Sequence, residues 1–106
     1  MKELVNYKYG TMSQEQLTHI KKRIHSLIHW LLIYAENEEY DVLNDYFNIV
    51  QSKLNGFNSV LNYPDSIGEI VVLVESAKKI DVKNKENYHL YRKIILDIHD
   101  LIEEIN

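Results

Sequence analysis

His25 and His29 stand four residues apart. On a helix that spacing brings both imidazoles to one face, where they could ligate a single metal ion as such pairs do in zinc and di-iron sites. A metal site needs further ligands. No HExxH signature surrounds the pair, and partners would have to come from elsewhere, with Asp97, Asp100 and His99 as the candidates. Two histidines flanking an apolar stripe are more often partly exposed side chains bonded to water or backbone. The expectation is therefore no metal and no cofactor.

Arginine precedes histidine twice at short range: Arg23 stands six residues before His29, and Arg92 seven before His99. The second pair is the better placed, because seven residues return to the same helix face after two turns. This arrangement resembles the arginine–histidine motif of the HEPN superfamily, small four-helix proteins that include metal-independent ribonucleases and partners of nucleotidyltransferase-like antitoxins. The resemblance implies that Arg92 would hold a phosphate while His99 moves protons as RNA is cleaved by attack of its 2′-hydroxyl. It covers one helix and a fold class, and where the family usually has Asn, Asp or His after the arginine this chain has Lys93 or Ile24. The plainer expectation is that Arg92 pairs with a surface acid and His99 is solvated. The chain has no Gly-rich phosphate loop, no nucleophile elbow and no Ser-His-Asp spacing tied to a strand.

The elements that must position these residues are helical. Leu17, Ile20, Ile24, Leu27, Leu31 and Tyr34 recur at threes and fours, which predicts a helix starting near Gln14, with Ser13 and Gln16 in a capping-box arrangement. Its end is unusual. Trp30, Leu31, Leu32, Ile33 and Tyr34 point in successive directions about 100° apart and cover every face. Either neighbouring helices wrap this end, or Trp30, Ile33 and Tyr34 form an interface with a partner or a second copy.

A second helix is predicted on Tyr40, Leu43, Phe47, Val50, Leu54, Phe57 and Leu61, running from about Glu38 to Asn55, or to Leu61 if Gly56 is tolerated. Gly56 could otherwise be a C-cap or a point of close helix approach. Tyr63-Pro64-Asp65-Ser66 is the clearest break, with Asp65 or Ser66 able to cap the next helix. The segment 67–74 is rich in β-branched residues and would suit a short buried strand. A helix is preferred, because Ile67, Ile70, Val71, Val74, Ala77 and Ile80 form a continuous stripe and a lone strand has no partner. Asn84 or Asn87 could cap a last helix carrying Tyr91, Ile94, Ile98, Leu101 and Ile105, widened by Tyr88, Ile95 and Ile102. Residues 1–12 have no helical period. Leu4, Val5, Tyr7 and Tyr9 could form a short strand or an arm, broken at Gly10 and Thr11.

The resulting expectation is an all-α, single-domain four-helix antiparallel bundle over residues 1–106 with a short non-helical N-terminal arm. The chain has 106 residues, no Cys and a formal net charge of −4. These values exclude a disulfide scaffold and thiolate chemistry, fit a reducing cytoplasm, and disfavour nucleic acid as partner. No apolar run is long enough for a membrane span. Asp97, Asp100, Glu103 and Glu104 make the end of the last helix acidic, against its dipole, and so are candidate contacts for a partner. Eight Tyr also favour interfaces, although Tyr34, Tyr40, Tyr88 and Tyr91 sit on core stripes. Together these features predict a small helical protein that binds another protein, of the immunity, antitoxin or defence-inhibitor type in bacteria or phage, with a homodimer through the Trp30 end as one arrangement.

Overall fold

Helix α1 (Gln14–Glu36) is the longest element and touches both of its neighbours, α2 (Tyr40–Val60) and α4 (Lys85–Glu103), while α3 (Asp65–Lys78) closes the ring between α2 and α4. In the computed structural model the backbone is described for residues 4–7, 10–61 and 64–105, and side chains within 14–61 and 64–105. The described residues form an antiparallel four-helix bundle measuring 48 × 21 × 21 Å. The arm is a two-stranded pairing. Strand β1 (Leu4–Tyr7) runs antiparallel to β2 (Gly10–Ser13), with Leu4 opposite Ser13 and Tyr7 opposite Gly10. Gly10 and Thr11 thus open a second strand where a break was expected, and β2 leads directly into α1. Tyr9 and the Ser13 hydroxyl lie outside the described residues and side chains.

Each helix buries a stripe set by its 3.6-residue period; those of α2 and α3 fall on the residues expected from the sequence, and those of α1 and α4 are shifted in one consistent way. In α1 the core positions are Leu17, Ile24, Ile28, Leu31 and Ala35, with Leu27 and Tyr34 displaced to its margin. In α4 they are Tyr91, Ile95, Ile98 and Ile102, with Ile94 and Leu101 at the margin. Both helices carry apolar residues at adjacent positions, so local periodicity leaves the centre of the stripe open, and the two flanking helices choose it.

The connections follow from caps. The α1–α2 turn is a Schellman arrangement: Glu38 adopts a left-handed φ of 59°, the Glu39 N–H donates to the Tyr34 carbonyl, and the Glu38 N–H donates to that of Ala35. Before α3 the cap position belongs to Pro64, whose carbonyl accepts from Ile67 and Gly68, so Asp65 and Ser66 are helical residues and neither side chain caps. Asn84 is the cap of α4, its side chain accepting from the Glu86 N–H at 2.9 Å. The β-branched segment is helical, with Ile67, Ile70, Val74 and Ala77 buried. Tertiary packing of that stripe overrides its strand propensity.

Three bonds tie α1 to α4 along their length. The Tyr88 hydroxyl donates to Glu36 at 3.2 Å, the buried Tyr91 hydroxyl donates to the Leu31 carbonyl at 2.6 Å, and Lys21 Nζ donates to the Glu103 carbonyl at 3.3 Å. The last of these sets a cation against the carbonyl end of α4, which offsets part of the acidity there. Removing the central bond with Tyr91→Phe keeps the ring and deletes one buried donor. The expected loss is about 1 kcal/mol in urea-induced unfolding.

Gly56 is neither a cap nor a point of close approach. It lies inside α2, exposed, and a Cβ added there meets nothing within 4 Å. Gly56→Ala is expected to raise unfolding stability by about 0.5–1 kcal/mol, measured by the same denaturation, because it removes backbone entropy without a clash.

Candidate functional site

Two features stand out on opposite flanks of α1. The first is an imidazole cluster. The i, i+4 spacing sets His25 and His29 with ring centroids 6.3 Å apart, and the antiparallel pairing of α1 with α4 brings His99 against them. His99 stacks on His25 at 4.4 Å with planes 20° apart and lies 6.4 Å from His29. Of the three partners that the last helix could offer the pair, His99 is the one whose ring stacks on it. The rings lie nearly face to face, so their in-plane lone pairs run side by side instead of meeting at a point. Among the described residues no group of three His, Asp or Glu side chains is arranged to hold a metal ion.

His99 is half-buried, and its Nε2 is enclosed without a hydrogen-bond partner. Burial pushes its pKa below the ordinary 6.5, and the neighbouring His25 and His29 push it further the same way, against an opposing effect of Asp100. Arg92, seven residues before it in sequence, is exposed on the same helix two turns earlier, about 10 Å along the axis at 1.5 Å per residue. The neutral ring is the form that the fold favours, and the unfolded chain binds the proton more readily. Stability is therefore full above pH 6.5 and falls as pH drops below it. Urea midpoints measured from pH 7.5 down to pH 5 should show this acid limb in the native chain and a flatter profile in His99→Leu.

The second feature is a groove of about 410 Å³ between α1 and α2. Its apolar lining is Leu27, Trp30, Tyr46 and Phe57, and its cationic lining is Lys22, Arg23 and Lys53, with His19 beside them. Leu27, Tyr46 and Phe57 are half-buried, whereas Trp30 keeps 45% of its surface exposed. The aromatics form a chain. Trp30 lies 5.4 Å from Tyr34, which meets Tyr46 edge-on at 5.2 Å, and the Arg23 guanidinium covers the Phe57 ring at 5.3 Å. Burial, and then the Tyr34 phenol, raise the pKa of Tyr46, so it remains a neutral donor at any physiological pH. Among the described residues no carboxylate lines the groove.

Sequence reasoning picked out Trp30 and Tyr34 and missed the α2 wall. The signal was available. Val42, Tyr46, Ile49, Lys53, Phe57 and Val60 recur at threes and fours as a second stripe beside the core stripe, and Val42, Ile49 and Val60 are 45%, 48% and 65% exposed. Of the other interface candidates, Ile33 is half-buried, and Asp97, Asp100, Glu103 and Glu104 are exposed on α4 and do not line this groove.

The fold and this face define an all-α four-helix bundle with an aromatic, cation-rimmed groove on one side. No protein-family model matches the chain, and the searches of curated proteins and of solved structures likewise return no match. No helix among the described residues is long and apolar enough to cross a membrane.

Proposed function

We propose that this chain is a non-catalytic helical binding protein that engages another protein through its α1–α2 face, in the manner of immunity, antitoxin or defence-inhibitor proteins. The observation that carries this reading is Trp30. It is the chain's one Trp, 45% exposed in the lining of a groove whose other apolar walls are formed by Tyr46, Phe57 and Leu27. Large amphipathic rings of this kind, set in a concave apolar surface, are the commonest anchors of protein interfaces. The exposed aliphatic side chains of Val42, Ile49 and Val60 extend the same face along α2.

The ribonuclease alternative through Arg92 and His99 draws less support, because the groups around His99 are two further imidazoles and a buried seam, and Arg92 stands two turns away. A working site in a reducing cytoplasm agrees with the absence of Cys.

A photo-crosslinking amino acid placed at position 30, compared in the native cell with one at Val72, tests the proposal. Val72 is 60% exposed on α3 and serves as the control face. A discrete protein adduct from position 30 that position 72 does not form is expected. Equal labelling from both positions would overturn the reading.

A further inference from the structure

The charge around the groove identifies what it receives. Lys22, Arg23 and Lys53 line it among its apolar residues, in a protein whose net charge is −4. Among the described residues Lys22 and Lys53 form no hydrogen bond or ion pair, in contrast to Lys21 and Lys78, which bond to Glu103 and to Asn48 and Gln51. Exposed cations grouped beside an apolar floor, with Lys22 and Lys53 unpaired and Arg23 only over a ring, are matched by carboxylates brought from outside. Trp30, Tyr46 and Phe57 give the same groove an aromatic surface, with Arg23 over the Phe57 ring.

Shape sets the form of the occupant. From His19 to Trp30 the groove follows α1 for about 16 Å, three helical turns. Its second wall is antiparallel α2, so it is a furrow between two helices, the surface into which a third helix packs its ridges. Val42, Ile49 and Val60, exposed on the helix that forms the second wall, add aliphatic surface of the kind that receives apolar side chains.

We propose that the α1–α2 groove binds an acidic amphipathic helix of a partner protein. Apolar side chains at i, i+3 or i+4 and i+7 of that helix fill the floor formed by Leu27, Trp30, Tyr46 and Phe57. Carboxylates on the flanks of the same helix meet Lys22, Arg23 and Lys53. This inference rests on the α1–α2 face being the binding surface and adds the chemistry of what binds there.

A displayed peptide library with three fixed leucines at helical spacing and all other positions randomised provides the test. It is selected in parallel against the full chain and against Arg23→Glu/Lys53→Glu, two exposed positions, with the variant's helix content checked by circular dichroism. The expected result is a pool enriched in Asp and Glu on the native chain and in Lys and Arg on the variant. Single peptides are then measured by Trp30 fluorescence, where an acidic peptide should bind the variant about tenfold more weakly.

Pools that lack acidic enrichment, or that are alike on both proteins, overturn the inference. So does an oligouridylate that displaces the acidic peptide, or self-association in sedimentation that alone accounts for the change in Trp30 emission. A partner crosslinked at position 30 together with indifference to charge reversal would leave the binding face standing and remove the acidic helix. Absence of the crosslink at position 30 together with absence of any enriched peptide pool removes the face itself.

Discussion

The bond from the Tyr91 hydroxyl to the Leu31 carbonyl fixes the relation between the two helices on which both surface features depend. Tyr91 is fully buried, so its hydroxyl must find a partner inside, and Leu31 supplies one from mid-helix with a carbonyl that has a second lone pair beyond its intrahelical bond. Desolvation at that depth raises the phenol's pKa far above its ordinary value, which keeps it a donor throughout. With this pair as the pivot, the Glu36–Tyr88 and Lys21–Glu103 contacts fall at the two ends of the same antiparallel register. His25 and His99 meet between the pivot and the Lys21 end for the same reason.

Once α1 is held against α4 by one flank and buries Ile24, Ile28 and Leu31 in the centre, the side chains on its far flank have only α2 to cover them. Helix α2 answers with a second stripe, but its outer members are separated by Lys53 and do not close over Trp30. The groove is thus a consequence of two apolar helices meeting along a narrow seam while each carries more apolar surface than that seam hides. The surplus at Trp30–Tyr34 divides accordingly. Leu31 is core, Leu32, Ile33 and Tyr34 are half-buried against neighbours, and Trp30 remains in the opening.

Much of the architecture was legible in the chain itself. Local signals of fixed length carried it: the threes and fours of four segments, Asn84 as a cap, and Pro64 as a break. What was not legible depended on partners. The choice of Ile28 over Leu27, or Ile95 over Ile94, turns on which neighbours lie on each side, and those neighbours come from elsewhere in the chain. The i, i+4 histidines were visible, whereas their stacking on His99 required the antiparallel register of α1 and α4. Trp30 attracted notice as an oversized apolar residue on an already full helix. Lys53 did not, because a single lysine on a helix carries no local signal, and Phe57 was assigned to the core stripe of its helix.

The register set by those three α1–α4 bonds also bears on the speed and thermodynamics of the association proposed for the α1–α2 groove. A slide of α1 by one turn would break all of them at once, so the wall that carries Trp30 is held in place before anything arrives. A ligand meeting such a wall docks on a rigid template. The entropy of becoming ordered then falls on the incoming segment, and differences among related ligands are expressed mainly in how long they stay.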